Sequence, residues 1–279
     1  MMHTILITND TALAHDAETA GVSRIMVDLE SIGKKERQAS RTTFISSHTL
    51  QDIAAIRSAI RKAELIVRIN PLHAGSPEEI EAAIASKADW VMLPMITATA
   101  QVKEALALVA GRAKLLPLIE TAYSMQHLGA ILSDDAIGEY YIGLNDLHLS
   151  LGMDFLFEPL ARGMVDTMAA ELKAHHKPFG FGGLGALSGT SELPALQVLA
   201  EHARLGSNCV ILSSRFHKDL ALSEAAGRKE RLASAVREIQ QHYEALCRRT
   251  PAQQMQDFST TRHRILELAD MARQKRISA

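Results

Sequence analysis

Two cysteines in 279 residues are too few for a disulfide framework. Cys209 and Cys247 stand far apart and form no CxxC pair. A reducing cytoplasm is therefore the expected compartment. No apolar run approaches the roughly 20 residues that span a bilayer. The N-terminus shows no basic region followed by an apolar one, so a secretory signal is not expected. The balance of 30 Lys and Arg against 32 Asp and Glu leaves no basic excess to track a nucleic acid. Twelve histidines are scattered without metal-ligand spacing. No glycine-rich fingerprint follows the first apolar run, where ITNDTALAHDA stands, which argues against an open dinucleotide-binding sheet.

What is present is one repeated theme: a short aliphatic run, a polar or glycine-bearing turn, then a helical pattern. Strands are expected at 4–8, 24–29, 65–70, 90–95, 115–119, 140–144, 178–182 and 209–212. Helices are expected at 13–20, 50–63, 77–86, 100–110, 123–132, 160–175 and 193–205. Ile53, Ile56 and Ile60 recur at helical spacing. Ser76 before Pro77 reads as an N-cap followed by a first-turn proline. Eight strands alternating with helices imply parallel strands and crossovers. Runs such as VMLPMI suit a sheet buried on both faces. The strand count and the length favour a (β/α)₈ TIM barrel of class α/β.

After Leu220 the pattern is helical to the end, with an amphipathic stretch at 233–247 and a second helix near 262–274, separated by Thr250-Pro251. The expected division is a barrel domain at 1–222 and a helical extension at 223–279. That extension packs either on its own barrel or on a neighbouring subunit.

A barrel of this kind works at the C-terminal ends of its strands. Asp28 and Glu30 end the second run, Arg68 and Asn70 the third, Glu120 the fifth and Asp146 the sixth. Gly182 and Gly183 end the seventh, and Ser213 and Ser214 the eighth. Carboxylates converging on one mouth require a cation, a shared proton or wide spacing. Oxygen ligands without histidine point to Mg²⁺ or Mn²⁺, with Glu120 and Asp146 on adjacent strands as the ligand pair. Arg68 offers a fixed fork of donors to a substrate carboxylate or carbonyl. Each residue also has a plain structural reading: helix cap or first-turn acid for Glu120 and Asp146, rim ion pair for Arg68, loop-orienting acid for Asp28. His148 reads as a solvated loop histidine.

At these same positions the chain resembles the HpcH/HpaI aldolase/citrate lyase family. The segments that carry the resemblance are RIMVDLE, IVRIN, ADWVMLPMI, LLPLIET, YYIGLNDLHLSLGM and the stretch from FGFGGLG to LGSNCVIL. Their order and spacing are more specific than any one fragment. The resemblance implies a (β/α)₈ barrel, metal-binding carboxylates at Glu120 and Asp146, and an arginine at Arg68 that contacts the pyruvyl or acyl oxygen. Asp28 and Glu30 match the acids of the second-strand motif. The Gly182–Gly183 backbone would approach the ligand closely. A homo-oligomer, trimer or hexamer, is also implied.

The implied activity is carbon–carbon bond cleavage or formation through a metal-stabilised enolate of a 2-oxo acid such as pyruvate. One alternative is a citrate-lyase-like acyl-CoA lyase or thioesterase, for which Lys34, Lys35 and Arg37 would meet phosphates. Another is a barrel that only binds. Ser31 departs from the family: it stands where the aldolases carry a proton-transfer histidine and the citrate lyases an acid. Neither Ser31 nor any strand-end lysine supplies a base or a Schiff-base amine.

Overall fold

A computed structural model of the chain describes residues 1–33 and 47–278. Eight parallel strands close into a barrel in sequence order. They are β1 (His3–Ile7), β2 (Arg24–Asp28), β3 (Glu64–Arg68), β4 (Trp90–Leu93), β5 (Lys114–Ile119), β6 (Tyr140–Ile142), β7 (Phe179–Leu184) and β8 (Cys209–Leu212). Closure is the β1–β8 ladder, with Ile5 opposite Ile211.

Strand periodicity divides the core in two. Ile5, Met26, Ile66, Met92, Leu116, Leu118, Tyr141 and Cys209 form one buried cluster inside the barrel. Their neighbours in sequence, among them Leu6, Ile25, Val27, Val67, Val91, Leu115, Tyr140 and Val210, join the larger cluster that packs under the helices. Both faces of the strands are thus largely dry along their middles, which is why the strands read as continuous apolar runs rather than alternating ones.

The helices among the described residues are α1 (Thr11–Thr19), α2 (Leu50–Ala59), α3 (Ser76–Ala85), α4 (Thr99–Val109), α5 (Ala122–Gln126), α6 (Leu128–Leu132), α7 (Leu144–Ser150), α8 (Glu158–Ala161), α9 (Met164–Ala174), α10 (Ala195–Leu205), α11 (Ser214–Asp219), α12 (Arg228–Cys247) and α13 (Pro251–Ser278). Two expected helices are each split. Gly163, with φ of 78°, separates α8 from α9, and His127 separates α5 from α6. Ser76 is not a cap. Gly75 takes that position, and the Ser76 hydroxyl instead accepts the His73 N–H at 2.9 Å. Pro251 does not merely interrupt the last helix but begins it, eleven residues before the expected start at 262.

In this chain α12 and α13 lie on the barrel that carries them. Leu232, Val236, Ile239, Tyr243, Ile265 and Leu268 belong to the same apolar cluster as the strands. Gln240 donates to Met2 O (2.6 Å), and the Tyr243 hydroxyl donates to Ser207 O (2.8 Å), so the chain entering β1 and the chain entering β8 are both tied to α12 at the N-terminal end of the seam. None of the helices among the described residues is long and apolar enough to cross a membrane.

His202, on α10 behind β7, is fully buried. Its ring stacks on Phe181, centroids 3.8 Å apart, and Nδ1 lies 2.8 Å from the Ser207 hydroxyl. Burial pushes its pKa down to about 3. An unfolded histidine titrates near 6.5, so the unfolded chain binds the extra proton between those values. Stability is therefore complete above pH 6.5 and falls as the medium is acidified towards pH 3. Between pH 7 and pH 5 this one group is expected to remove about 2 kcal/mol. Urea unfolding at both pH values checks it: His202→Phe should lose correspondingly less, and equal losses in the two proteins would refute the assignment.

Candidate active site

Arg68 is the last residue of β3 and Asp28 the last of β2, and the two are register partners across the ladder. Adjacency at a shared strand end brings the side chains together. Nε donates to Asp28 Oδ1 at 2.8 Å and Nη2 to Oδ2 at 2.7 Å, a bidentate pair. Nη1 lies 3.4 Å from Glu30 Oε2. Burial works against the guanidinium charge, but Asp28 and Glu30 outweigh it and raise the Arg68 pKa well above its ordinary value.

Glu120 follows β5 directly and is 2% exposed. Thr121 then caps α5 by accepting the Ser124 N–H at 3.0 Å, which anchors the chain on the far side of the acid. Glu120 Oε1 accepts the Met95 N–H at 2.9 Å. Met95 has φ of 52°, a left-handed conformation in the turn after β4 that aims its amide at the carboxylate. The other oxygen lies against Gly143. A Cβ at 143 would stand 2.8 Å from Oε2, so only glycine leaves room for the acid.

Asp146 is not at a strand end. β6 stops at Ile142, and Asp146 sits in the first turn of α7, where it is 7% exposed. The first-turn reading is thus correct for its backbone, yet its charge also acts on Glu120. Burial, then the charges of Glu30 and Asp146, push the Glu120 pKa well above the usual carboxylate range, against the pull of Arg68 and the Met95 amide. The barrel therefore gathers Asp28, Glu30, Arg68, Glu120 and Asp146 around one mouth.

Asn70 has a role the sequence did not reveal. Its side-chain oxygen accepts the Ser31 N–H (2.8 Å) and the Ile32 N–H (3.0 Å), and its amide donates to Glu79 Oε1 on α3 (2.7 Å). This clamp sets the turn after β2 that carries Glu30. His148 is not a solvated loop residue. It lies fully buried on α7, with Nδ1 3.1 Å from Leu144 O. Gly182 and Gly183 lie within β7, which runs on to Leu184, beside a register shift. Gly182 has φ of 58°, its carbonyl accepts the Tyr141 hydroxyl at 2.8 Å, and Leu144 fills the space where a Cβ would go. Lys34, Lys35 and Arg37 lie outside the described residues.

The donor set is suited to a metal. The buried carboxylates Glu30 and Asp146 act on the buried Glu120 beside the Arg68 guanidinium, and the raised cost of ionising Glu120 is what a hard cation would relieve. Among the described residues no group of three or more His, Cys, Asp or Glu is arranged as a metal cage. Two carboxylates completed by water and substrate are the usual Mg²⁺ arrangement.

A closed parallel barrel with such a cluster at the C-terminal ends of its strands defines a (β/α)₈ barrel of the enzymatic type. The chain belongs to the HpcH/HpaI aldolase/citrate lyase family, whose sequence profile matches residues 5–156, a span that includes all five charged residues above. Proteins of this family are enzymes of the aldolase and lyase type. No match is found among curated proteins. Among solved structures, the HpcH/HpaI aldolase from Desulfitobacterium hafniense DCB-2 is similar with a TM-score of 0.61 at 13% identity, over 82% of this chain and 92% of that one. A HpcH/HpaI aldolase/citrate lyase family protein from Burkholderia cenocepacia J2315 is similar with a TM-score of 0.60 at 15% identity, over 82% and 95%. The citrate synthase SbnG is similar with a TM-score of 0.59 at 14% identity, over 82% and 94%. At these identities the likeness establishes the fold alone.

Proposed function

We propose that this protein is a metal-dependent carbon–carbon lyase or aldolase acting through the enolate of a 2-oxo acid such as pyruvate. The observation that carries the reading is a buried Glu120–Asp146 pair facing an arginine that Asp28 holds bidentately. Family members generally require a divalent metal. Glu120 and Asp146 are the residues that would hold Mg²⁺ or Mn²⁺. When bound, such a cation supplies Lewis-acid polarisation of the 2-oxo carbonyl.

The remaining work falls to the chain. In a 4-hydroxy-2-oxo acid the C3–C4 bond breaks, its electron pair passes into the pyruvate enolate, and the 4-hydroxyl passes its proton to the Glu30 carboxylate as the aldehyde forms; return of that proton to C3 of the enolate gives pyruvate. Arg68 is assigned to the oxygen that gains charge. Preorganised donors of this kind contribute on the order of 2.7–4 kcal/mol each. Asp28 holds the guanidinium with both carboxylate oxygens and is therefore an orienting acid rather than a base. Substrate contact is assigned to Arg68 and to the Gly182–Gly183 backbone.

A test is pyruvate release from oxaloacetate or a 4-hydroxy-2-oxo acid. Release is expected with Mg²⁺ or Mn²⁺ and should cease in excess chelator. Undiminished release in chelator would defeat the metal assignment.

A further inference from the structure

The strand-two motif of this chain lacks an imidazole, because Ser31 stands there and its N–H is tied to Asn70. An imidazole reaches the same strand end from elsewhere. The β1–β2 ladder ends at the Ile7–Met26 pair, two residues short of Asp28. The Asp28 N–H donates instead to His48 Nδ1 at 2.9 Å. We propose that His48 is a positioning residue for Arg68: by accepting the Asp28 N–H it fixes the carboxylate that holds the guanidinium. This inference rests on the function proposed above, in which Arg68 meets the substrate.

Three observations support it. First, His48 is itself held in place. It immediately precedes Thr49, whose N–H and hydroxyl both donate to Asp52 Oδ2, at 2.7 and 3.0 Å, in the capping box that starts α2. Second, Asp28 passes the constraint on. Its Oδ1 accepts both Arg68 Nε at 2.8 Å and the Glu30 N–H at 3.1 Å, so one fixed backbone amide orients an arginine and an acid together. Third, the chemistry favours an imidazole here. A carboxylate acceptor would add another negative charge beside Asp28 and Glu30 and compete for Arg68. A neutral histidine accepts at Nδ1 with its proton on Nε2 and adds no charge. His48 also lines a cavity of about 360 Å³ with Leu29, Ser31, Asn70 and His73, beside the turns that follow β2 and β3.

The experiment compares full-length wild type, His48→Asn and His48→Phe. Asparagine keeps an acceptor near the Nδ1 position, and phenylalanine keeps only the ring volume. Binding of oxalate, a mimic of the pyruvate enolate, is titrated calorimetrically with Mg²⁺ present. His48→Phe should weaken binding about tenfold, while His48→Asn stays within about threefold of wild type. A long-range ¹H–¹⁵N histidine spectrum of the wild type should show His48 Nδ1 without a proton. Unchanged oxalate binding in His48→Phe, failure of asparagine to rescue, or a proton on Nδ1 would each overturn the positioning role and leave the proposed function standing. A wild type that binds no oxalate would instead sink the proposed function and this inference with it. Should His48→Phe not fold, the asparagine variant and the tautomer still decide.

Discussion

Glu120→Gln is expected to raise the melting temperature of the metal-free protein and, in the same molecule, to abolish turnover. Burial and the charges of Glu30 and Asp146 raise the folded-state pKa of Glu120 above its unfolded value. For an acid this sign means that folding favours the protonated form, so stability is lost as pH rises from the unfolded pKa through the folded one. At neutral pH the metal-free protein therefore carries an uncompensated cost that glutamine removes. A divalent cation should offset the same cost in the wild type, seen as a rise in melting temperature on adding Mg²⁺ or Mn²⁺. The variant should show no such rise. Its rate should fall by roughly a thousandfold or more, because a cation at a developing enolate contributes several kcal/mol. Asp146→Asn should lose activity to a similar degree. Full activity in both variants, or a metal-induced rise that survives in Glu120→Gln, would remove these residues from the metal site.

Arg24→Met is expected to destabilise the fold severely while leaving the chemistry untouched. Arg24 opens β2 at the end of the barrel opposite the acids. It forms a bidentate pair with Glu139 (2.6 and 2.8 Å), donates to Glu64 at 2.9 Å and lies over the Trp90 ring at 4.7 Å. Both Arg24 and Glu139 are buried, at 4% and 7% exposure. Methionine would leave Glu139 charged and unpaired away from water. Removing one partner of a buried pair costs about 3–5 kcal/mol. At roughly 2–4 °C per kcal/mol for a chain of this size class, the melting temperature should drop on the order of 10 °C. The double variant Arg24→Met with Glu139→Leu should recover most of that loss, because no isolated charge remains. Turnover per folded molecule should be unchanged, since function sits at the other strand ends. A single variant as stable as wild type would show that this network contributes nothing.

The barrel was legible because its evidence is local. A strand buried on both faces requires an uninterrupted aliphatic run, and LIVR, WVML and CVIL are such runs whatever surrounds them. Asp28, Arg68 and Glu120 were legible for a related reason, since a polar residue that ends such a run stands on the rim of any closed barrel. The breaks at Gly163 and His127 were not legible, because the apolar spacing continues across them. Asp146 was misplaced by a helix, since β6 is only three residues long and its apolar run continues into the first turn of α7. The Asn70 clamp, the Met95 amide and the His48 contact left no mark on the sequence. Each joins groups from different loops, and a backbone donor has no residue type to reveal it.

The order of apolar runs and punctuating polar residues determined the architecture and nominated the charged residues, because periodicity and end position are properties of the chain itself. Only the closed tertiary structure decided that Asp28 grips Arg68 with both oxygens, and that Glu120 shares its enclosure with Glu30 and Asp146. Distance and loss of water arise when strands far apart in sequence meet, and those two quantities set the charge state and hence the chemistry.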